Sequence, residues 1–324
     1  MAVYTQLGTG QIEDLLSQYD VGALVSAKGI AEGVSNSNWL VETAAKNKNT
    51  KGRYILTMYE RRIDPADLPF FLALLDHLAA KSCPVPRTIH RCDGSRFTMV
   101  EGKAVALIEF LPGTSPDRPT EAQAWAIGAA LAQIHLGAAD FPHERANPLG
   151  PQHWCDTLAD YRQDLLEQIA PALPAMISEA QCLAQCWPND LPRCVIHSDL
   201  FPDNALFLGD KVNGLIDFYF ACTDFMAYDL AVTHAAWSFD KQNQFKPGIG
   251  NTIVSGYESV RPLEPAERAA LPVLAQGACM RFVASRTADW IETSPSALVT
   301  RKDPVDFVRR LTFYREHGCD VFPN

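Results

Sequence analysis

One island constrains this chain more than any other feature. It runs Val195-Ile196-His197-Ser198-Asp199-Leu200-Phe201-Pro202-Asp203-Asn204-Ala205-Leu206-Phe207-Leu208, turns, and resumes at Leu215-Ile216-Asp217-Phe218. Apolar pairs flank the polar residues, as in short buried strands that carry side chains to one end of a hairpin. The turn Gly209-Asp210-Lys211-Val212-Asn213-Gly214 reverses the chain and lets Asn204 and Asp217 approach each other. An Asn and an Asp converging there offer hard oxygen ligands of the kind Mg²⁺ prefers, with positions left for phosphate oxygens and water. Asp199 is placed beside them as an acceptor for a hydroxyl proton.

The rest of the chain sets the frame. Trp39-Leu40-Val41 and Tyr54-Ile55-Leu56-Thr57-Met58-Tyr59 predict two strands of a hairpin across the polar turn 45–52. Asp64 as cap, Pro65 in the first turn, and Leu68, Phe71, Leu72 and Leu75 predict a helix that Cys83-Pro84-Val85-Pro86 stops. Strand signals return at 97–100 and 104–110, ending in Leu111-Pro112-Gly113. Beyond that point the texture is helical. A capping box, Thr120-Glu121-Ala122-Gln123, opens a helix through Leu136, and a second helix is expected over about 157–186. The expected fold is α+β: a small β-rich lobe over 1–110 and a larger, mainly helical lobe over 111–324 carrying the island.

Charge narrows the function. The 324 residues hold 28 Lys+Arg and 38 Asp+Glu, a net charge of −10, and all of the excess falls beyond residue 110. An acidic chain gains little counterion release from a nucleic-acid backbone, so no nucleic-acid partner is expected. No apolar run approaches the roughly 20 residues needed to span a bilayer, and the first residues do not resemble a secretory signal. Nine Cys, an odd number, read as free thiols in the cytoplasm. Cys182 and Cys186 stand at i, i+4 with no further His or Cys to complete a metal set. Oligomeric state leaves no mark in the sequence.

His197-x-Asp199-x₄-Asn204 followed by Asp217-Phe218 has the spacing of a phosphotransferase catalytic loop and its metal-binding Asp. The chain resembles the aminoglycoside-phosphotransferase and choline-kinase branch of the bilobal protein-kinase-like fold. Ser198 stands where this branch usually has Gly. The resemblance implies ATP and Mg²⁺ as cofactors, Asp199 as the catalytic acceptor, and Asn204 and Asp217 as metal ligands. It further implies a phosphate-covering loop containing Gly29, Gly33, Ser35 and Asn36, and an adenine-facing hinge at Glu109 and Leu111. His135 reads as structural, and Asp229 as a buttress of the catalytic loop.

One position departs from that branch. The cation usual on the third strand of the small lobe falls at Thr57, and its acidic partner near Phe71, so both members of the pair are missing. Phosphate charge must then be met by Mg²⁺, backbone amides, and Lys28 or Arg62. Thr57 itself belongs to a narrower resemblance, with Gly33–Asn38, Tyr54–Glu60 and Ile216–Asp224, to bacterial homoserine kinases of the kinase-like type. That resemblance implies ATP-dependent phosphorylation of the side-chain hydroxyl of L-homoserine, a step of threonine biosynthesis. It makes Arg281 or Arg286 the candidate donor to the substrate carboxylate. The alternatives are another small hydroxyl substrate, such as choline, an aminoglycoside or a sugar, and a non-catalytic nucleotide-binding pseudokinase.

Overall fold

Alternating apolar residues in the first third build an antiparallel sheet, and the computed structural model describes residues 5–30, 36–44, 52–60, 63–293 and 301–323. The chain divides into two units, Met1–Pro112 and Gly113–Asn324. In the first, helix α1 (Thr9–Leu16) precedes strands β1 (Leu24–Ile30), β2 (Asn36–Thr43) and β3 (Gly52–Tyr59). Helix α2 (Leu68–Ala80) follows, then β4 (Thr88–Ile89), β5 (Thr98–Val100) and β6 (Lys103–Glu109). The strands run in the order β1-β2-β3-β6-β4, with β5 also paired to β6.

Register explains the two faces of this sheet. Trp39 lies opposite Leu56, and Leu56 opposite Leu107. With Val41, Met58 and Val105 these side chains bury against Ile12, Leu15 and Leu16 of α1. The next row, on the other face, is Asn38, Thr57 and Ala106. Thr57 is buried, and its hydroxyl donates to Asn38 Oδ1 at 2.8 Å. Phe71 is buried in α2. The position where the resemblance led to a cation being expected is thus a neutral side chain hydrogen-bonded inside the sheet.

A different ion pair forms in this unit. Lys103 Nζ lies 2.5 Å from Glu60 Oε2, and the Ser37 hydroxyl donates to Glu60 Oε1 at 2.7 Å. Burial alone would raise the Glu60 pKa, but hydrogen bonds from Lys103, Ser37 and Thr5 hold it below the usual value. Lys103 alternates with Val105 and Leu107, so this cation belongs to the α1 side of the sheet and not to the face of Thr57. Lys28, opposite Leu40, does share the Thr57 face and is exposed. Arg62, like the expected turn over 45–51, lies outside the described residues.

The helix expected from Asp64 begins later, at Leu68. The Asp64 carboxylate accepts the Ala66 N–H at 2.9 Å, which closes a turn instead of capping a helix.

The second unit opens with α3 (Glu121–Ala138), where Thr120 and Gln123 exchange side-chain-to-backbone hydrogen bonds at 3.2 and 3.1 Å. The single helix expected over 157–186 is instead three pieces, α4 (Pro151–Ala159), α5 (Gln163–Ile169) and α6 (Ala175–Gln185). Arg162 adopts extended backbone, and Pro171 and Pro174 separate the last two pieces. Strand β7 (Arg193–Ile196) follows, then the hairpin β8 (Ala205–Leu208) and β9 (Lys211–Leu215). A further strand, β10 (Cys222–Phe225), lies beyond the expected end of the strand-rich island and pairs antiparallel with β7. Helices α7 (Met226–Trp237), α8 (Pro247–Glu258), α9 (Pro265–Glu292) and α10 (Val305–Val321) complete the unit. All nine cysteines are free. Among the described residues no helix is long and apolar enough to cross a membrane.

Helices α3 and α8 pack backbone to backbone. A Cβ on Gly128 would stand 2.1 Å from the Ile253 carbonyl oxygen, and one on Gly256 2.1 Å from that of Trp125. Because backbone blocks both, Gly128→Ala is expected to destabilise the protein by about 1–3 kcal/mol. Urea titration of the two proteins checks this.

Candidate active site

The site is organised around a carboxylate removed from solvent. Asp229, on the first turn of α7, is fully buried. Its oxygens accept the backbone N–H of His197 and of Ser198, each at 2.7 Å, and the His135 Nε2–H at 3.1 Å. His135 Nδ1 in turn meets the Tyr257 hydroxyl at 2.8 Å. Burial alone would raise the Asp229 pKa; the hydrogen bond from His135 and the charges and amides around it hold it low instead. The chain leaving β7 is thereby pinned at two successive amides. Ser198 sits there with φ of +67°, in the left-handed region. This conformation explains why the branch usually has Gly at that position.

His197 locks the next joint. Its Nδ1 accepts the Asp199 N–H at 3.2 Å, so the ring proton is on Nε2, which donates to the Ile216 carbonyl at 3.0 Å. Burial pushes its pKa down and keeps the ring neutral. One imidazole thus ties Asp199 to the residue preceding Asp217. The Trp237 indole N–H donates to the Leu200 carbonyl at 2.9 Å and fixes the loop from below.

Asn204 ends the short turn Pro202–Asn204. Its Nδ2 donates to the Asp199 carbonyl at 2.9 Å, and its own carbonyl accepts the Ile216 N–H at 3.0 Å. With the amide nitrogen engaged, the side-chain oxygen is the atom available to a ligand. The β8–β9 hairpin returns the chain to Asp217, whose φ of +66° directs it out of the strand. Asp217 is open to solvent, yet desolvation by the protein behind it and the negative charges of Asp199 and Asp203 push its pKa up to about 7.

Asp199 keeps 19% of its side-chain surface accessible. Desolvation raises its pKa, against the opposing charges of Arg281 and Lys302. Among the described residues no three His, Cys, Asp or Glu side chains are grouped to hold a metal ion. A divalent cation nonetheless fits the donors present: an amide oxygen, an exposed carboxylate, and a surplus of negative charge.

The two arginines expected to face substrate are already engaged. Arg281, on α9, is 2% exposed; it donates to the Ser198 carbonyl and reaches Asp199 Oδ1 at 3.5 Å, with its guanidinium 4.6 Å from the Phe282 ring centroid. It supports the catalytic loop. Arg286 donates to the Asp303 carbonyl at 2.9 Å, reaches Asp306 at 3.5 Å, and lies 4.5 Å over Phe307. Asp203 and Lys302, whose charges act on both Asp199 and Asp217, had no motif to announce them.

In the first unit, Gly29 lies on the edge strand β1 opposite Trp39. Asn36 opens β2, is 7% exposed, and has an Oδ1 without a hydrogen-bond partner among the described residues. Gly33 and Ser35 lie outside the described residues. The Glu109 carboxylate accepts the Arg87 N–H at 3.1 Å, and its own N–H donates to the Arg87 carbonyl at 2.9 Å. Leu111 is half-buried, and among the described residues its N–H and C=O have no backbone partner.

Comparison with known proteins agrees with this geometry. The model of the phosphotransferase enzyme family (APH) matches residues 26–263. Homoserine kinase from Acidiphilium cryptum is 47% identical, covering 98% of this chain and 98% of its own length. Homoserine kinase from Xanthobacter autotrophicus is 46% identical over 97% and 96%. Among solved structures, an amicoumacin kinase in complex with AMP-PNP, Ca²⁺ and Ami matches with a TM-score of 0.68 at 13% identity, covering 98% of this chain and 96% of its own. That likeness identifies the fold as kinase-like.

Asp229→Asn keeps the shape but presents an NH₂ to three donors. It is expected to cost about 1–3 kcal/mol of stability and to lower turnover at least tenfold by loosening the loop. Denaturant titration and steady-state kinetics of the same preparation test both.

Proposed function

The chain belongs to the phosphotransferase enzyme family, and from that premise we propose that it transfers the γ-phosphoryl group of ATP to the side-chain hydroxyl of L-homoserine. The product is O-phospho-L-homoserine, on the route to threonine. The observation that carries this reading is identity close to one half with homoserine kinases along almost the entire chain, together with the assembled loop that presents Asp199.

Asp199 orients the substrate hydroxyl and takes its proton as the oxygen attacks. Its raised pKa suits that task, since a base is most useful when its pKa lies nearer the working pH. Arg281 and His197 keep its carboxylate and peptide in place. Asn204 and Asp217 would hold Mg²⁺, which would supply charge neutralisation on the phosphates. The transition state of phosphoryl transfer is loose, so catalysis is chiefly positioning and electrostatics. We assign Gly29, Gly33, Ser35 and Asn36 to the phosphate-covering loop, and the backbone at Glu109 and Leu111 to adenine. With Thr57 neutral, we assign the phosphate contact on that sheet face to Lys28, since Arg53 on the same face is paired with Glu42 at 3.1 Å. Both substrates are small and water-soluble, and we place the reaction in the cytoplasm, with neither membrane nor nucleic acid as partner.

The test is ADP release from Mg·ATP with L-homoserine, set against L-serine, L-threonine and choline. Preference for another acceptor would overturn the substrate assignment. Asp199→Asn is expected to lower kcat by roughly 10²–10⁴. In the wild type, kcat/KM should rise with pH along a limb displaced above the ordinary carboxylate range, because the base must be deprotonated to act in the free enzyme. Full activity in the variant would refute the role given to Asp199.

A further inference from the structure

Three aromatic rings meet beside Asp199. Phe201 packs edge-on to Phe282 at 5.0 Å, Phe282 lies 4.7 Å from Phe307, and Phe307 lies 6.2 Å from Phe201. The Phe201 N–H donates to the Asp199 carbonyl at 2.9 Å, so this cluster is fastened to the catalytic residue's own peptide. Four cations cover the rings: Arg281 on Phe282, Arg286 and Arg310 on Phe307, and Lys302 on Phe201, the last at 5.7 Å from the centroid.

Three of the four are spent on structure. Arg281 bonds the Ser198 carbonyl and Arg286 the Asp303 carbonyl. Arg310 donates to Asn243 Oδ1 at 3.0 Å and to the Ala235 carbonyl at 2.8 Å. Lys302 differs from them. It is exposed, and among the described residues it has no hydrogen bond and no carboxylate within 4.0 Å. Its charge nevertheless acts on both Asp199 and Asp217. Within a unit whose acids outnumber its bases, it is a cation beside the base with its donors uncommitted.

We propose that the Lys302 ammonium binds the α-carboxylate of the substrate and so selects amino-acid alcohols over other alcohols. This rests on the homoserine reading given above. The hydroxyl of that substrate must reach Asp199, and its carboxylate lies only roughly 5 Å further along an extended chain. The donor therefore has to stand close to the base, and Lys302 lies over Phe201, whose N–H is bonded to the Asp199 carbonyl. An ammonium carried on a flexible stem above an aromatic face keeps its donors free for an incoming anion.

The experiment uses the full-length protein and its Lys302→Ala and Lys302→Arg variants, with L-homoserine and with 3-amino-1-propanol. The second compound keeps hydroxyl and ammonium but lacks the carboxylate, and is measured as substrate or as competitive inhibitor. Lys302→Ala is expected to raise KM for L-homoserine roughly 10- to 100-fold. It should leave KM for ATP and the KM or inhibition constant of 3-amino-1-propanol unchanged, any change in kcat from the lost charge being shared by both compounds, and Lys302→Arg should recover most of the loss. An equal fall on both compounds, carried in kcat alone, would show that the cation serves the phosphoryl group and overturn the assignment. So would an unchanged KM for L-homoserine in an active Lys302→Ala enzyme, which leaves the homoserine reading standing. A wild type that ignores L-homoserine removes both together.

Discussion

A buried carboxylate that receives two consecutive backbone amides is the constraint on which this protein's chemistry rests. Removing Asp229 from water costs several kcal/mol, and that cost is offset only because three donors converge on it. Those donors come from two segments, α3 and the end of β7, so the carboxylate fastens α7 to both. The loop between His197 and Asn204 has no regular hydrogen-bond ladder of its own; it keeps its shape because its first amides are held. Asp199, Asn204 and Asp217 then inherit their positions through His197 and through the Asp199 carbonyl, which receives both the Asn204 amide and the Phe201 N–H.

The price of that arrangement appears as local strain and unbalanced charge. Ser198 and Asp217 both occupy the left-handed region, where a side chain costs on the order of 1–2 kcal/mol. Asp199 and Asp217 both have raised pKa values, because the protein behind each limits its solvation and neither charge is neutralised by the protein alone. Under the function proposed above, the missing positive charge would arrive with a divalent cation. Arg281 reaches Asp199 at only 3.5 Å and stacks on Phe282, which steadies the carboxylate without quenching it.

The sheet unit carries a complementary lesson. Thr57 and Phe71 stand where the resemblance implied an ion pair, and the structure has there a hydroxyl-to-amide hydrogen bond inside the sheet and an aromatic side chain buried in α2. The charged pair that does exist, Glu60 with Lys103, sits on the opposite face, where it braces β6 and α1's side of the sheet. Two faces of one sheet, set by strict alternation, thus keep a structural ion pair away from the surface assigned to nucleotide.

What could be read from the residues alone was whatever is encoded within a few positions. The spacing from His197 to Asn204, the Gly-rich turn back to Asp217, the Thr120–Gln123 capping box and the alternation around Trp39 and Leu56 all specify local geometry, and each is present in the fold. Boundaries set by competition between neighbours were harder. Asp64 closes a turn instead of capping a helix, two prolines split α5 from α6, and β10 exists only because β7 is there to pair with it. The supporting cast lay further out of reach. Only the family resemblance marked Asp229 as a buttress, since it meets His197 across 32 positions; Arg281 meets Ser198 across 83, and Lys302 lies over Phe201 from beyond α9. Periodicity and motif report on near neighbours in the chain. Which distant side chains meet depends on how every intervening helix packs, and that information exists only once the whole unit has closed around its core.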